Sequence, residues 1–176
     1  MVKSGGEESF KKDFEKKLAA LCEEQASAKI TFFKKTMRNS KKEEFEEALF
    51  PGYLFLSAQA FDARIVGAAK KSKNFYRFLN SNTDIRPLRG SDLEHFSNLL
   101  KFGETQGVSK ARFAENQRIV IESGPLLGFE GKIVKVNRKR GRATVQIDLC
   151  DNTMKFDLAF EEISAKGNTE ASDRTR

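Results

Sequence analysis

The chain has 176 residues, enough for one domain or two small ones, and its 16 Phe residues supply apolar mass for packed cores. Its formal net charge of +7 is a moderate basic excess, which is compatible with a nucleic-acid or ribonucleoprotein partner but does not prove one. Cys22 and Cys150 are too few for a disulfide framework or a zinc site. No apolar run reaches the roughly 18 to 20 residues of a membrane helix, and residues 1–4 open no secretory signal. We therefore expect a protein of the reducing cytoplasm.

The first hundred residues alternate between helical and extended patterns. Phe10, Phe14 and Leu18 recur at helical spacing among charged residues, which predicts an amphipathic helix. Ser91 and Glu94 have the spacing of a capping box, which predicts the start of a third helix. A charged loop or hairpin is expected between the first two strands, over residues 38–47. The predicted order is helix, strand, strand, helix, strand, helix, at residues 9–24, 30–34, 53–56, 61–69, 75–79 and 91–100.

The pattern changes in the second part of the chain. Residues 103–115 are polar and lack periodicity, so we predict a linker there. From residue 116 onward short β-rich runs are punctuated by Gly and Pro, which favours a small all-β barrel. Residues 165–176 are polar and are predicted to be disordered.

The barrel segment resembles the KOW domain, an SH3-like barrel of ribosomal proteins and transcription factors. Gly124, Pro125 and Gly131 stand where that motif places them. We expect the segment to remain a barrel, unlike the C-terminal domain of RfaH, which also adopts a helical form. The β-branched runs favour strands, and the glycines and the proline would interrupt a helix.

The run Phe50-Pro51-Gly52-Tyr53 resembles the signature of the N-terminal domain of the NusG family of transcription factors. Residues 75–79 and 85–88 follow as they do in that family. The family also begins with an aromatic-rich strand, which is absent ahead of residues 2–5, so we expect either a late start or a truncated chain. The two resemblances together imply an α+β protein, with a NusG-type α/β sandwich at 1–102, a linker at 103–115, a KOW barrel at 116–164 and a tail at 165–176.

Two shorter segments, residues 108–111 and 137–143, are similar to LoaP, a specialised branch of the family that acts as a processive antiterminator on selected operons. This resemblance implies a factor that binds RNA polymerase and suppresses pausing or termination. Two alternatives stay open: a housekeeping elongation and termination factor of the NusG type, and a ribosome-associated KOW protein that binds RNA.

The resemblance implies that Phe50, Tyr53 and Phe55 bind the clamp helices of RNA polymerase through an exposed apolar hollow. Aromatic anchors suit this role because they offer a large contact area with few rotatable bonds to freeze. The pattern alone allows another interpretation, since apolar residues of a strand usually point into the core.

In the barrel, the family resemblance implies that a turn contacts a ribosomal protein or the terminator Rho. Three apolar side chains in one glycine-bounded turn suggest a partner, although they could equally fold inward over the barrel. The candidate residues of this turn are Gly124, Leu126, Leu127, Phe129 and Gly131.

Two basic sets are candidates for contact with a nascent RNA hairpin. Such clusters bind phosphates without reading sequence, and a solvated surface is the competing interpretation of each. The sets are Lys70, Lys71, Lys73, Arg77, Arg86 and Arg89 in the first domain, and Arg138, Lys139, Arg140 and Arg142 in the barrel.

We find no support for catalysis in the sequence. His95 is the sole histidine, and helical spacing places it opposite the Leu93, Phe96 and Leu100 face, where we expect it to be solvent-exposed. No phosphate-cradling glycine loop or nucleophile–base set is recognisable. We therefore predict a monomeric binding protein with no catalytic residues, no cofactor, no metal and no membrane contact.

Overall fold

The computed structural model describes residues 1–21, 28–39, 41–59, 62–79, 81–149 and 151–163. Cys22, Phe61, Cys150 and the predicted tail lie outside these ranges. The helices are α1 (Glu7–Leu21), α2 (Ala63–Lys70) and α3 (Gly90–Leu100), with a 3-10 turn at Glu130–Lys132. The strands are β1 (Ala28–Thr31), β2 (Lys34–Arg38), β3 (Glu44–Ala48), β4 (Phe55–Ala58), β5 (Thr105–Gln106), β6 (Ser109–Phe113), β7 (Ile119–Ser123), β8 (Ile133–Asn137), β9 (Arg142–Leu149) and β10 (Asn152–Glu162).

Helices α1 and α2 pack beside an antiparallel pair formed by β1 and β4. The apolar stripe of α1 forms the centre of this packing, and the Phe10 and Phe14 rings stack with centroids 5.9 Å apart. Helix α2 begins at Asp62, whose carboxylate accepts the backbone N–H of Arg64 at 2.9 Å and of Ile65 at 3.0 Å. We call the buried residues here the helix-side cluster: Val2, Phe10, Phe14, Leu18, Ile30, Ile65, Ala68 and Ala69.

A second, three-stranded sheet has the order β3-β2-β5. Strands β2 and β3 form an antiparallel hairpin, from the pair Lys34–Ala48 to the pair Arg38–Glu44, which confirms the hairpin alternative for residues 38–47. Strand β5 lies parallel to β2 on its other edge and carries the chain toward the barrel.

The barrel is a five-stranded sheet in the order β7-β6-β10-β9-β8. Strand β10 is its longest strand and pairs with β9 over eight residues and with β6 in parallel. Residues 142–149 alternate between side chains buried in the barrel and side chains on its outer face, as a half-buried strand requires. The β-barrel prediction and the α+β fold class are confirmed.

The segment predicted as a linker contains two strands. Gln106 and Ser109 are fully buried, and β5 and β6 add to different sheets on either side of residues 107–108. Periodicity missed β5 because it is only two residues long and its buried side chain is polar, and missed β6 because its buried side chains, Ser109 and Ala111, are small. The division of the chain into domains stays a prediction.

Two local predictions are wrong. Residues 75–79 form no strand; Phe75 makes only an isolated antiparallel bridge to Val2. Helix α3 begins at Gly90 after Arg89, which has extended backbone and makes no side-chain cap, so Ser91 lies inside the helix. Within the described residues, the structure has no helix long and apolar enough to cross a membrane.

Candidate functional site

The barrel packs directly on the first domain, and the two share one apolar core. The Phe50 ring meets the Phe156 ring of β10 edge-on, with centroids 5.1 Å apart. Phe129 of the barrel lies against Phe156 at 6.1 Å and against His95 of α3 at 6.0 Å. We call this the interface cluster: Phe33, Leu49, Phe50 and Leu99 from the first domain, with Ala111, Ile121, Leu126, Phe129, Ala143, Val145, Ile147, Phe156, Leu158 and Phe160 from the barrel.

The Phe-Pro-Gly-Tyr turn is anchored by Glu7 of α1 and by the backbone of Val2. Gly52 adopts a positive φ of 80°, and its N–H donates to the buried carboxylate of Glu7 at 2.7 Å. A Cβ at Gly52 would lie 3.1 Å from the Val2 carbonyl oxygen, closer than most Cβ contacts. Glycine is therefore required by both the backbone conformation and the close approach of residue 2. The turn fixes where Phe50 and Tyr53 emerge.

The structure brings Phe50, Tyr53 and Phe55 together at the interface with the barrel. Phe50 is only 5% exposed, while Tyr53 and Phe55 are half-buried and pack against the interface cluster. The Phe55 ring lies 5.1 Å from Phe96 and 5.5 Å from Phe33, so it belongs to a continuous aromatic group. In this arrangement the barrel covers part of the surface that the sequence predicts to be an open hollow.

An apolar cavity of about 620 Å³ adjoins this aromatic group. Tyr53, Phe55 and Phe96 line it from the first domain, and Leu149 lines it from the barrel. The hollow is therefore only partly filled when the barrel is packed.

In the barrel turn at residues 124–131, some apolar side chains are buried and one is exposed. Leu126 and Phe129 are fully buried, whereas Leu127 is 45% exposed. Gly124 has a φ of 95°, and a Cβ there would lie 2.6 Å from the Cα of Ser109, so no other residue fits without movement. Gly131, by contrast, has open space around it. Leu127 is thus the apolar side chain that this turn presents outward.

His95 does not lie in solvent, contrary to the expectation from helical spacing. Its ring stacks on Phe129 across the interface, and its buried Nδ1 atom has no hydrogen-bond partner among the described residues. Leu93 and Leu100, expected on the packed face, are 48% and 41% exposed. The sequence missed His95 and Phe156 as interface residues because periodicity within one element carries no information about a distant partner, and Phe129 and Phe50 lie far from them along the chain.

The basic set of the first domain is exposed throughout. Lys70 reaches the Asn82 carbonyl oxygen at 3.4 Å, which places the end of α2 beside residues 81–86. The guanidinium of Arg86 pairs with Asp84 at 2.5 Å, and this hydrogen bond raises the pKa of Arg86 and lowers that of Asp84. The set is Lys70, Lys71, Lys73, Arg77, Arg86 and Arg89.

The basic set of the barrel lies on the turn between β8 and β9. Arg138 donates to Glu162 at 2.7 Å and lies over the Phe113 ring at 4.4 Å, so it is held in the barrel surface. Lys139 and Arg140 are exposed, and the Nη2 of Arg142 donates to the Arg38 carbonyl oxygen of the first domain at 3.1 Å. The described residues contain no cluster of His, Cys, Asp and Glu that could hold a metal ion.

Comparison with known proteins gives a consistent result for sequence and structure. Residues 1–97 match the family model described as "NusG: Transcription termination factor nusG". Curated relatives include the transcription termination/antitermination protein NusG of Thermus thermophilus, 26% identical over 70% of each chain, and that of Borreliella burgdorferi, 24% identical over 72% of this chain and 73% of the relative. A solved structure titled "Domain interaction in Thermotoga maritima NusG" covers 90% of both chains at 21% identity, with a TM-score of 0.58.

Proposed function

The chain belongs to the NusG family of transcription termination and antitermination factors, and on this premise we propose that it binds the clamp helices of RNA polymerase through Phe50, Tyr53 and Phe55. Bound there, it would suppress pausing and termination as a processive antiterminator on selected operons. The role is one of binding, without catalysis.

The observation that carries this proposal is the aromatic group around the Phe-Pro-Gly-Tyr turn. Phe50, Phe55 and Phe96 form edge-on and tilted contacts at 5.1 to 5.9 Å, next to the apolar cavity. A cavity beside clustered aromatic rings suits the apolar face of a partner helix, because such rings lose little conformational entropy on binding. The turn that positions them is anchored by Glu7 and Val2 and needs no rearrangement.

The packed barrel sets a condition on this binding. Phe156 occupies one side of Phe50, so the clamp helices and the barrel compete for the same aromatic surface. Polymerase binding then selects molecules in which the barrel has moved away, and the apparent affinity falls in proportion to the fraction of such molecules. Release would also uncover Phe129, which together with Leu127 offers an apolar turn for a ribosomal protein or Rho.

Selectivity for particular operons would come from nascent RNA. The first-domain set is exposed while the barrel is packed; Lys70 lies at the end of α2 beside Asn82, and Arg86 lines the cavity next to the aromatic group. Its lysines and arginines can bind the phosphates of an RNA hairpin, whose shape then supplies the specificity.

The test changes the barrel side of the interface without touching the proposed polymerase contacts. Phe156→Leu removes the ring pair with Phe50, worth about 0.5–1.5 kcal/mol, and should raise polymerase affinity about fivefold by favouring the released barrel. Adding Tyr53→Ala to this variant should weaken binding by about 2 kcal/mol, the usual size of an aromatic hot spot. Affinity is measured by titration with RNA polymerase, and function by readthrough of terminators in a transcription assay.

Phe160→Leu is the matched control, because it makes the same change on the same strand: Phe160 belongs to the interface cluster, but its ring contact, at 6.0 Å, is with Phe113 inside the barrel. It should leave polymerase affinity unchanged. If adding Tyr53→Ala leaves the affinity of the Phe156→Leu variant unchanged, the aromatic site is refuted. Readthrough that is equal at every terminator, with or without an operon leader, would favour a housekeeping factor.

A further inference from the structure

Two hairpins from different parts of the chain are joined at their bases where the barrel packs on the first domain. One is the β2–β3 hairpin, whose tip carries Lys41 and Lys42, and the other is the β8–β9 hairpin, whose turn carries Lys139 and Arg140. The contact that joins them runs from Arg142 at the base of the second tip to the carbonyl oxygen of Arg38 at the base of the first, at 3.1 Å.

Both tips are ordered by an asparagine. In the first domain the Asn39 side-chain oxygen accepts the backbone N–H groups of Lys41 at 2.9 Å and Glu43 at 3.0 Å. In the barrel the Asn137 side-chain oxygen accepts the N–H of Arg140 at 3.0 Å. These bonds restrain the backbone at Lys41, Glu43 and Arg140 before any ligand arrives, which lowers the entropy lost on binding.

The acidic residues near the tips are already engaged. Glu43 accepts from the Asn39 side chain at 2.8 Å, Glu44 pairs with Arg38 at 2.9 Å, and Glu162 pairs with Arg138. In the part of the chain that the structure describes, the side chains of Lys41, Lys42, Lys139 and Arg140 have no such acidic partner. Four exposed cationic groups therefore remain on two preorganised tips.

We propose that the two tips form one surface for the phosphate backbone of a nucleic acid, and that this surface is complete only while the barrel is packed. A backbone that follows both tips would contact Lys41 and Lys42 on one side and Lys139 and Arg140 on the other. Phosphates are the fitting ligand because flexible cationic side chains on a fixed backbone bind them without reading sequence.

The two-tip surface has a consequence for polymerase binding, and this consequence rests on the proposed function. A ligand that bridges both tips stabilises the packed barrel, and the packed barrel covers Phe50. Nucleic acid bound at the tips and polymerase bound at the aromatic group therefore oppose each other, and the opposition is reciprocal. RNA on the first-domain set at Lys70–Lys73 is outside this coupling.

The test uses the full chain and three charge-removal pairs: Lys41→Gln with Lys42→Gln, Lys139→Gln with Arg140→Gln, and, as the matched control on the exposed face of α1, Lys12→Gln with Lys16→Gln. The probes are a short oligouridine RNA and a duplex DNA of equal charge, titrated over a range of salt concentrations. Each tip pair should reduce the log–log salt slope by about 1.4 for single-stranded RNA and weaken binding about 20-fold near 0.1 M salt, from two lost phosphate contacts. The control pair should change neither quantity.

Hydrogen exchange provides the second measurement, with no polymerase present. Adding the RNA should slow exchange of the amides of residues 49–56, which the packed barrel covers, and neither tip variant should show this slowing. If DNA acts as RNA does, the surface takes a generic phosphate backbone; slowing by RNA alone would assign it to RNA.

A Lys41 and Lys42 variant that retains wild-type affinity and salt slope would overturn the proposal, because the barrel tip alone would then be the site. So would unchanged exchange at residues 49–56 when RNA is bound, since the surface would not depend on packing. Either result leaves the polymerase contact standing, because neither measurement involves polymerase.

Discussion

The helix-side cluster and the interface cluster are both built from phenylalanine and aliphatic residues, yet they differ in which parts of the chain supply those residues. The first is formed by residues of one domain, with α1, α2, β1 and Val2 supplying its members. The second joins Phe33, Leu49, Phe50 and Leu99 to barrel residues that lie beyond residue 110. Disruption of the first cluster opposes folding, whereas we expect the loss of those contacts of the second that cross from Phe50 and Leu99 to the barrel to favour the proposed release of the barrel.

The largest effect is expected in the helix-side cluster. Phe14 is fully buried and stacks on Phe10, so Phe14→Ala should lower the free energy of unfolding by about 3–5 kcal/mol. Chemical denaturation followed by circular dichroism measures this loss. A loss below about 1 kcal/mol would show that this cluster is not the core of the first domain.

An intermediate effect on polymerase affinity is expected at His95, and its sign depends on whether the substitution strengthens or weakens the packing of the barrel. His95→Phe keeps the ring that stacks on Phe129 and removes the unpaired buried nitrogen, so it should stabilise the packed barrel by about 1 kcal/mol and lower polymerase affinity about fivefold. His95→Ala removes the ring as well and should raise polymerase affinity. Changes of the same sign in the two variants would contradict the role of His95 at the interface.

The smallest effect concerns the start of α2. The pKa of Asp62 is lowered by its hydrogen bond from the Ile65 backbone N–H and then by Arg64. A carboxyl whose pKa is lower in the folded state contributes stability above its unfolded pKa, near 3.8, and loses it as pH falls through the folded value. Asp62→Asn retains a capping oxygen but not the charge, so its stability deficit at neutral pH should disappear in acid. Parallel stability curves at all pH values would refute this.

The sequence was informative wherever a pattern is local. Phe10, Phe14 and Leu18 predicted α1 because a helix repeats its buried side chains every three or four residues. Gly124 marked a turn because only glycine tolerates both its positive φ and the approach of Ser109. Family resemblance then grouped Phe50, Tyr53 and Phe55, which the structure indeed brings together, although their role stays a prediction.

The sequence misled where a backbone conformation overrides a local motif, and it was uninformative where the partner is distant along the chain. Ser91 and Glu94 have capping-box spacing, but the helix begins one residue earlier at Gly90, where a φ of 53° lets the chain enter without a side-chain cap. His95 faces the barrel because α3 packs against a turn more than 30 residues further along the chain. No spacing rule within one helix could have supplied that contact.

The passage between the three-stranded sheet and the barrel is short, and its length bears on the proposed release of the barrel. Gln106 is fully buried and its side-chain amide donates to the carbonyl oxygens of Leu99 at 3.2 Å and Gly103 at 2.7 Å, which fastens β5 to the end of α3. Strand β6 belongs to the barrel, so only Gly107 and Val108 connect the two bodies, a tether of about 7 Å when extended. With so short a connection, a released barrel keeps an effective concentration of about millimolar or more beside the aromatic group. Under the proposed function, polymerase would have to displace a competitor that stays tethered beside the site, and lengthening the chain at Gly107 would weaken that competitor without altering a single contact.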